Sequence, residues 1–118
     1  MVNKIPQDYE ECPLLLTRKI IFGKYKLSII WFLSKNESMR FGKLKDAFMD
    51  PGLTQKMLTQ HLRELEHDKI IERKVYNEMS LRVEYSLSEI GKKFLPIMNS
   101  MENWADEYIN YIEKANDS

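Results

Sequence analysis

Apolar side chains in this sequence recur about every 3.6 residues over most of its length and every 2 residues in one short window. The pattern predicts amphipathic helices around a single hairpin. The polar stretch 1–11 carries Asp8, Glu10 and Glu11 and reads as an arm outside the core. Cys12-Pro13 opens the first helix, because proline suits the first helical position, where the N–H it lacks would have no partner. Leu14, Leu15, Leu16, Ile20 and Ile21 supply its apolar surface, and Gly23 ends it. Residues 27–33 are apolar nearly all round, the mark of a central buried helix. After a polar break at 34–38, Phe41, Leu44 and Phe48 repeat at i, i+3, i+7 on a short helix, with Arg40, Lys43 and Lys45 away from the stripe.

Asp50-Pro51-Gly52 signals a tight turn, with proline presetting φ and glycine expected to supply a positive φ at the next position. Thr54 can cap the following helix, its hydroxyl accepting from the free N–H groups of the first turn. Leu58, Leu62 and Leu65 form the buried stripe of that helix, while Gln55, Lys56, Thr59, Gln60 and Arg63 fall on its other sides. This outer face holds amide, hydroxyl and cationic groups and no carboxylate. Such side chains hydrogen-bond to base edges and phosphates in a major groove. Helix, tight turn, helix is a helix-turn-helix, and its second helix is the candidate DNA reader. The period then changes to 2. Ile71 and Val75 mark one strand, and Val83, Tyr85 and Leu87 a second, joined by the loop 77–81. A hairpin placed there is a wing, able to lay Arg73, Lys74 or Arg82 against a neighbouring backbone or minor groove.

Ser88 begins a last helix in which Phe94, Ile97, Met101, Trp104, Tyr108 and Tyr111 follow at a/d spacing, widened by Met98, Ala105, Ile109 and Ile112. Pro96 is expected to kink it near its start. A chain this short has little core left to cover so wide a stripe, which implies a partner, most simply a second copy.

The length of 118 residues fits one domain, 1–118, with a DNA-binding core over 13–87 and a dimerisation helix over 88–112. No apolar run approaches the ~20 residues of a membrane span, and the N-terminus has no apolar signal core. The expected compartment is the cytoplasm, with no membrane attachment. A single cysteine agrees with that and excludes an internal disulfide. A formal net charge of zero argues against a polycation held by charge alone. Its distribution says more: residues 13–49 hold eight cations against two anions, and residues 88–118 hold three against six. One end can face phosphate while the other avoids it.

Taken in order, Cys12-Pro13, Gly23-Lys24-Tyr25, Arg40-Phe41 with Leu44, and Lys56 with Leu58-Thr59 carry a family resemblance. It continues through Leu62-Arg63-Glu64-Leu65-Glu66, Ile70-Ile71 with Arg73, and Val83-Glu84-Tyr85-Ser86-Leu87 leading to Gly91. The sequence resembles the HxlR-type winged helix-turn-helix transcriptional regulators of bacteria, relatives of the MarR group, over residues 12–104. The resemblance implies a mainly α fold with a small antiparallel hairpin. It implies a homodimer built from the first and last helices, with Leu16, Ile20, Phe94, Ile97, Met101, Trp104, Tyr108 and Tyr111 as interface candidates. It also implies repression or activation of nearby genes, and in some members a response to electrophiles or oxidants through the cysteine aligned with Cys12. Two departures stand out. The family's glycine at the end of the recognition helix is Lys69 here, which costs about 1 kcal/mol if the left-handed cap is kept. The family's Pro-Pro in the wing is Ser80-Leu81, which loosens the wing contacts.

The candidate DNA-contacting set is therefore Thr54, Gln55, Lys56, Thr59, Gln60 and Arg63 on the reader, with Arg40, Lys43, Arg73, Lys74 and Arg82 around it. Each has a plainer reading. Arg63 can pair with Glu64 or Glu66, and Arg40, Lys43 and Lys45 can simply solubilise a short helix. At Cys12, first-turn N–H groups favour the reactive thiolate and Glu10 and Glu11 oppose it, so a sensor thiol and a small packed residue both stay open. Trp104, Tyr108 and Tyr111 suit a dimer core better than a ligand pocket. His61 and His67 stand six apart, off a common helix face, so no metal is expected. Without a glycine-rich phosphate loop, a histidine near Cys12 or a resolving cysteine, neither a cofactor nor an enzyme is expected. The reading is a dimeric, sequence-specific regulator of double-stranded DNA, a repressor in its simplest form. The alternative is a winged-helix module that docks on protein.

Overall fold

The computed structural model of the chain describes residues 5–76, 79 and 81–117. Its centre is α3 (Lys26–Ser34), whose Ile29, Ile30 and Leu33 are buried and which α4, α5 and the sheet all approach. Before it come α1 (Gln7–Glu11) and α2 (Pro13–Ile21). The expected N-terminal arm thus contains a helical turn, supported by the Gln7 amide donating to Glu11 Oε1 four residues on, at 3.1 Å. Proline occupies the first turn of α2, and the extended Phe22 closes the helix just ahead of Gly23.

α4 (Phe41–Phe48) and α5 (Gln55–His67) form the helix-turn-helix. Leu44 from α4, Leu53 from the turn and Leu58, Leu62 and Leu65 from α5 close over α3, all essentially fully buried. Burying a leucine contributes about 1.5–3 kcal/mol, so the three α5 leucines suffice to keep that helix docked. The turn differs from expectation. Among the described residues no glycine has a positive φ, and the left-handed position is Met49 (φ 51°), the C-cap of α4. Gly52 instead donates its N–H to Asp50 Oδ1 at 2.8 Å, while Leu53 donates to the Asp50 carbonyl at 3.1 Å. Asp50 organises the turn through side chain and backbone together.

The predicted hairpin is β2 (Ile71–Tyr76) with β3 (Arg82–Leu87), and a third strand, β1 (Met39–Arg40), pairs antiparallel with the outer edge of β3. Two residues are too few to show a period, so β1 leaves no signature in the hydrophobic pattern. The register assigns faces. Arg73 opposite Tyr85 and Val75 opposite Val83 lie on the side of buried Ile71 and Leu87. Lys74 opposite Glu84 and Tyr76 opposite Arg82 lie on the other side, as does Arg40, which also pairs with Glu84.

The single C-terminal helix expected from Ser88 is two helices. Ser88 caps α6 (Glu89–Lys92), the path breaks at Lys93 and Phe94, and α7 (Leu95–Asn116) begins with Pro96 in its first turn. Pro96 starts a helix rather than kinking one, which suits a residue without an N–H to donate. Gly91 is required at this junction, because a Cβ there would meet the Ile70 carbonyl oxygen at 2.3 Å. The Ser88 hydroxyl lies 2.6 Å from the Lys69 carbonyl and 2.9 Å from that of Ile70, fastening the end of α5 to the start of α6. Lys69 adopts the left-handed cap (φ 66°), with its N–H on Glu66 O and that of Ile70 on Leu65 O, so the last carbonyls of α5 are satisfied.

Phe94 and Met98 are buried against the core, and Met101 packs on it, after which α7 leaves the body of the domain. The radius of gyration shows this departure: it is 17.0 Å, against about 13.5 Å for a compact chain of this length. Among the described residues no helix is long and apolar enough to cross a membrane.

Candidate nucleic-acid interface

α5 starts cleanly because Thr54 is extended and its hydroxyl accepts the Met57 N–H at 3.1 Å. Its thirteen residues span about 20 Å, a length that fits along a major groove. Gln55, Lys56, Thr59, Gln60 and Arg63 all line one concave surface of about 610 Å³. Two of them have internal partners: the Thr59 hydroxyl donates to the Gln55 carbonyl at 2.8 Å, and the Gln60 amide donates to Glu64 Oε1 at 3.2 Å.

Two tethers hold this helix and its turn on α3. The buried Tyr25 donates its hydroxyl to Asp50 Oδ2 at 2.9 Å and sets its ring against Phe48, the centroids 5.5 Å apart. The Gly52 N–H, and after it the Tyr25 hydroxyl, hold the Asp50 carboxyl below its ordinary pKa. Lys26, itself buried, places Nζ 2.6 Å from Glu64 Oε2 and lowers the pKa of that carboxyl, against the opposing effect of burial. Glu64 is therefore the partner of Lys26 and not of Arg63. Among the described residues no ion pair engages Arg63.

The wing cations divide between the two faces of the hairpin. Arg73 shares a second hollow, of about 430 Å³, with Thr59, Arg63, Glu66 and Tyr85. Lys74 and Arg82 stand on the opposite face over the Tyr76 ring, at 5.0 and 4.1 Å from its centroid, and Arg82 Nε lies 3.3 Å from Glu84 Oε2. Arg40 and Lys43 are exposed and line neither hollow. Tyr85 and Glu66 are the residues that sequence reasoning missed. The pairing of Tyr85 with Arg73 follows from the β2–β3 register, and residues 77, 78 and 80 of the connecting loop, Ser80 among them, lie outside the described residues.

The proposed seam of α7 also divides. Phe94 and Met101 belong to the chain's own core, whereas Trp104, Tyr108 and Tyr111 are 64%, 51% and 71% exposed, with Trp104 stacked on Tyr108 at 5.3 Å. Ile97 is half-exposed. On α2, Leu16 and Ile20 are half-buried, with Ile20 packed on the core, and the bare apolar groups are Leu14 and Leu15. Cys12 is a free, exposed thiol just ahead of α2, and its side chain makes no capping bond. Among the described residues no three His, Cys, Asp or Glu side chains gather as a metal site.

A tethered helix-turn-helix with an acid-free polar face, followed by a hairpin wing that β1 extends to three strands, defines a winged-helix transcriptional regulator of the MarR-like kind. Residues 20–113 match the family described as HxlR-like helix-turn-helix, and the chain belongs to that family. It is 39% identical to the HTH-type transcriptional regulator YdeP of Bacillus subtilis (strain 168) over 107 residues, 91% of this chain and 81% of YdeP. The structure of the redox regulator HypR in its reduced form superposes with a TM-score of 0.76 at 35% identity, covering 86% of this chain and 98% of HypR. The reduced transcriptional regulator YodB from B. subtilis superposes at 0.68 with 30% identity, covering 89% and 95%.

Proposed function

We propose that this chain is a homodimeric regulator that binds a near-palindromic operator in double-stranded DNA and represses by occupying it. The observation that carries the reading is the surface of α5: five polar or cationic side chains on one face of a capped helix, held in place from behind by Tyr25 and Lys26. In this reading Gln55 and Lys56 reach the groove first, because Thr59 and Gln60 must exchange internal partners to do so. The bare aromatic stripe of α7 joins two copies, so that two recognition helices enter successive major grooves about one helical turn apart. Modification of the exposed Cys12 by an oxidant or electrophile changes the separation of those helices. Support comes from its accessibility and from the likeness to regulators named for redox control.

Fluorescence anisotropy with a labelled duplex from upstream of the chain's own gene, against random competitor, tests this. The expected result is preferential binding whose log affinity falls linearly with log salt. Equal weak binding to both duplexes would move the α5 surface to protein docking. A Cys12→Ser chain that releases DNA under oxidant as readily as the parent would remove the thiol from the switch.

A further inference from the structure

We propose that the hollow between α5 and the wing is a clamp for one phosphodiester of the DNA backbone, gripped jointly by Arg63 and Arg73 with the Tyr85 hydroxyl as a further donor. The proposal rests on the DNA-binding reading above and specifies how the chain is registered on its duplex. Arg63 comes from α5 and Arg73 from β2, yet both line the same hollow of about 430 Å³ together with Thr59, Glu66 and Tyr85. Neither guanidinium has an ion pair or hydrogen bond among the described residues, although the Glu66 carboxylate shares the hollow. Lys74 and Arg82, by contrast, are committed to the Tyr76 ring on the opposite face.

Two unpaired guanidiniums facing one polar hollow call for an anion, and their forked donors match the oxygens of a phosphate. The charge count narrows the class. Two cations against Glu66 leave one positive charge, which a monoanionic phosphodiester neutralises. Position narrows the source, because Thr59 and Arg63 line this hollow and also the recognition surface. A strand bordering the groove that α5 enters passes over it. The backbone positions of the clamp are set before DNA arrives, since Lys26 tethers α5 and the β2–β3 ladder sets Arg73 directly opposite Tyr85.

The test uses the full chain with the duplex it selects from a randomised library, carrying neutral methylphosphonates one position at a time. Arg63→Gln and Arg73→Gln are each expected to weaken binding about tenfold. Each is expected to reduce the log–log salt slope by roughly 1.8, about 0.9 for each of the two half-sites, and the double variant by the same amount, because one phosphate per half-site is shared. One methylphosphonate position, substituted in both half-sites, should reproduce the loss in the parent and add nothing to either variant. Arg63→Lys and Arg73→Lys, which keep the charge, should hold the slope and lose part of the affinity, separating the clamp from any folding defect. Effects of Arg63 and Arg73 that map to two different phosphates within a half-site, a double variant that loses roughly twice the single slope change, or unchanged slopes would overturn the clamp. So would inorganic phosphate displacing the duplex from the parent, and not from the variants, beyond chloride at equal ionic strength. If the parent itself selects no duplex, the functional reading has failed, and the clamp with it.

Discussion

α5 and α7 carry the same kind of sequence signal and meet opposite fates. Both repeat apolar residues at helical spacing, but Leu58, Leu62 and Leu65 of α5 vanish against α3, whereas Trp104, Tyr108, Ile109 and Tyr111 of α7 stay exposed. Their remaining surfaces are opposite too. α5 offers a polar face without acid at Gln55, Lys56, Thr59, Gln60 and Arg63, while α7 offers bare aromatics among Glu102, Asp106, Glu107 and Glu113. The difference teaches that periodicity reports a two-faced helix without saying which face is left for a partner. In the proposed function α5 presents its polar face to an anionic partner, and α7 its apolar face to protein.

The largest effect should follow from placing charge on that bare stripe. Trp104→Glu with Tyr108→Glu is expected to give a monomer by light scattering and, by uncoupling two half-sites, to lower operator affinity by about 10²–10⁴-fold. Because both side chains are exposed, the circular-dichroism spectrum of the domain should survive. A variant that remains dimeric would show that α7 is not the interface. The buried stripe of α5 should respond in the reverse sense: Leu62→Ala leaves a cavity beneath the helix and should reduce unfolding free energy by about 2–5 kcal/mol in urea, with oligomeric mass unchanged.

The contrast between these helices also marks how far the sequence could be read. α5 is legible in its start and its stripe, because a cap at Thr54 and three leucines in register are local signals that tertiary packing does not override, whereas its left-handed stop at Lys69 is implied only by the family resemblance. α7 was legible as a helix and not as a surface, since Phe94 and Met101 fit the same heptad as Trp104 and only the presence of α3 assigns them to the core. β1 is too short to show a period. The sorting of Arg73 from Lys74 and Arg82 needed a strand register, and the positive φ expected at Gly52 fell instead at Met49, one residue after α4.

Lys69 allows a smaller test of that local grammar. A non-glycine residue at φ 66° is strained. Lys69→Gly should raise stability by up to about 1 kcal/mol, reduced by the extra freedom glycine brings to the unfolded chain. The urea midpoint should rise with the slope unchanged, and the Ser88 contact should persist because it uses the Lys69 carbonyl. A lower midpoint would mean that the lysine side chain contributes more than its backbone costs.

The smallest effect concerns the tethers that hold α5 in place. Asp50 and Glu64 both have carboxyl groups whose pKa is lower in the folded chain than in the unfolded one, Asp50 chiefly through the Gly52 N–H and Glu64 chiefly through Lys26. The folded state therefore binds fewer protons at these groups. Their contribution is complete above their ordinary values of 3.8 and 4.5 and is lost as pH falls through the lower folded values. Glu64→Gln should then be less stable than the parent at neutral pH, and the gap should begin to close below 4.5. For Asp50→Asn the closing should begin lower, below 3.8, because that aspartate starts from the lower value. Both groups are only partly buried, so the gaps are close to those of surface interactions, best read as differences in urea midpoint across a pH series. A Glu64→Gln gap that stays constant from neutral pH through the acid range would mean that shape, and not the charge on Glu64, ties α5 to α3.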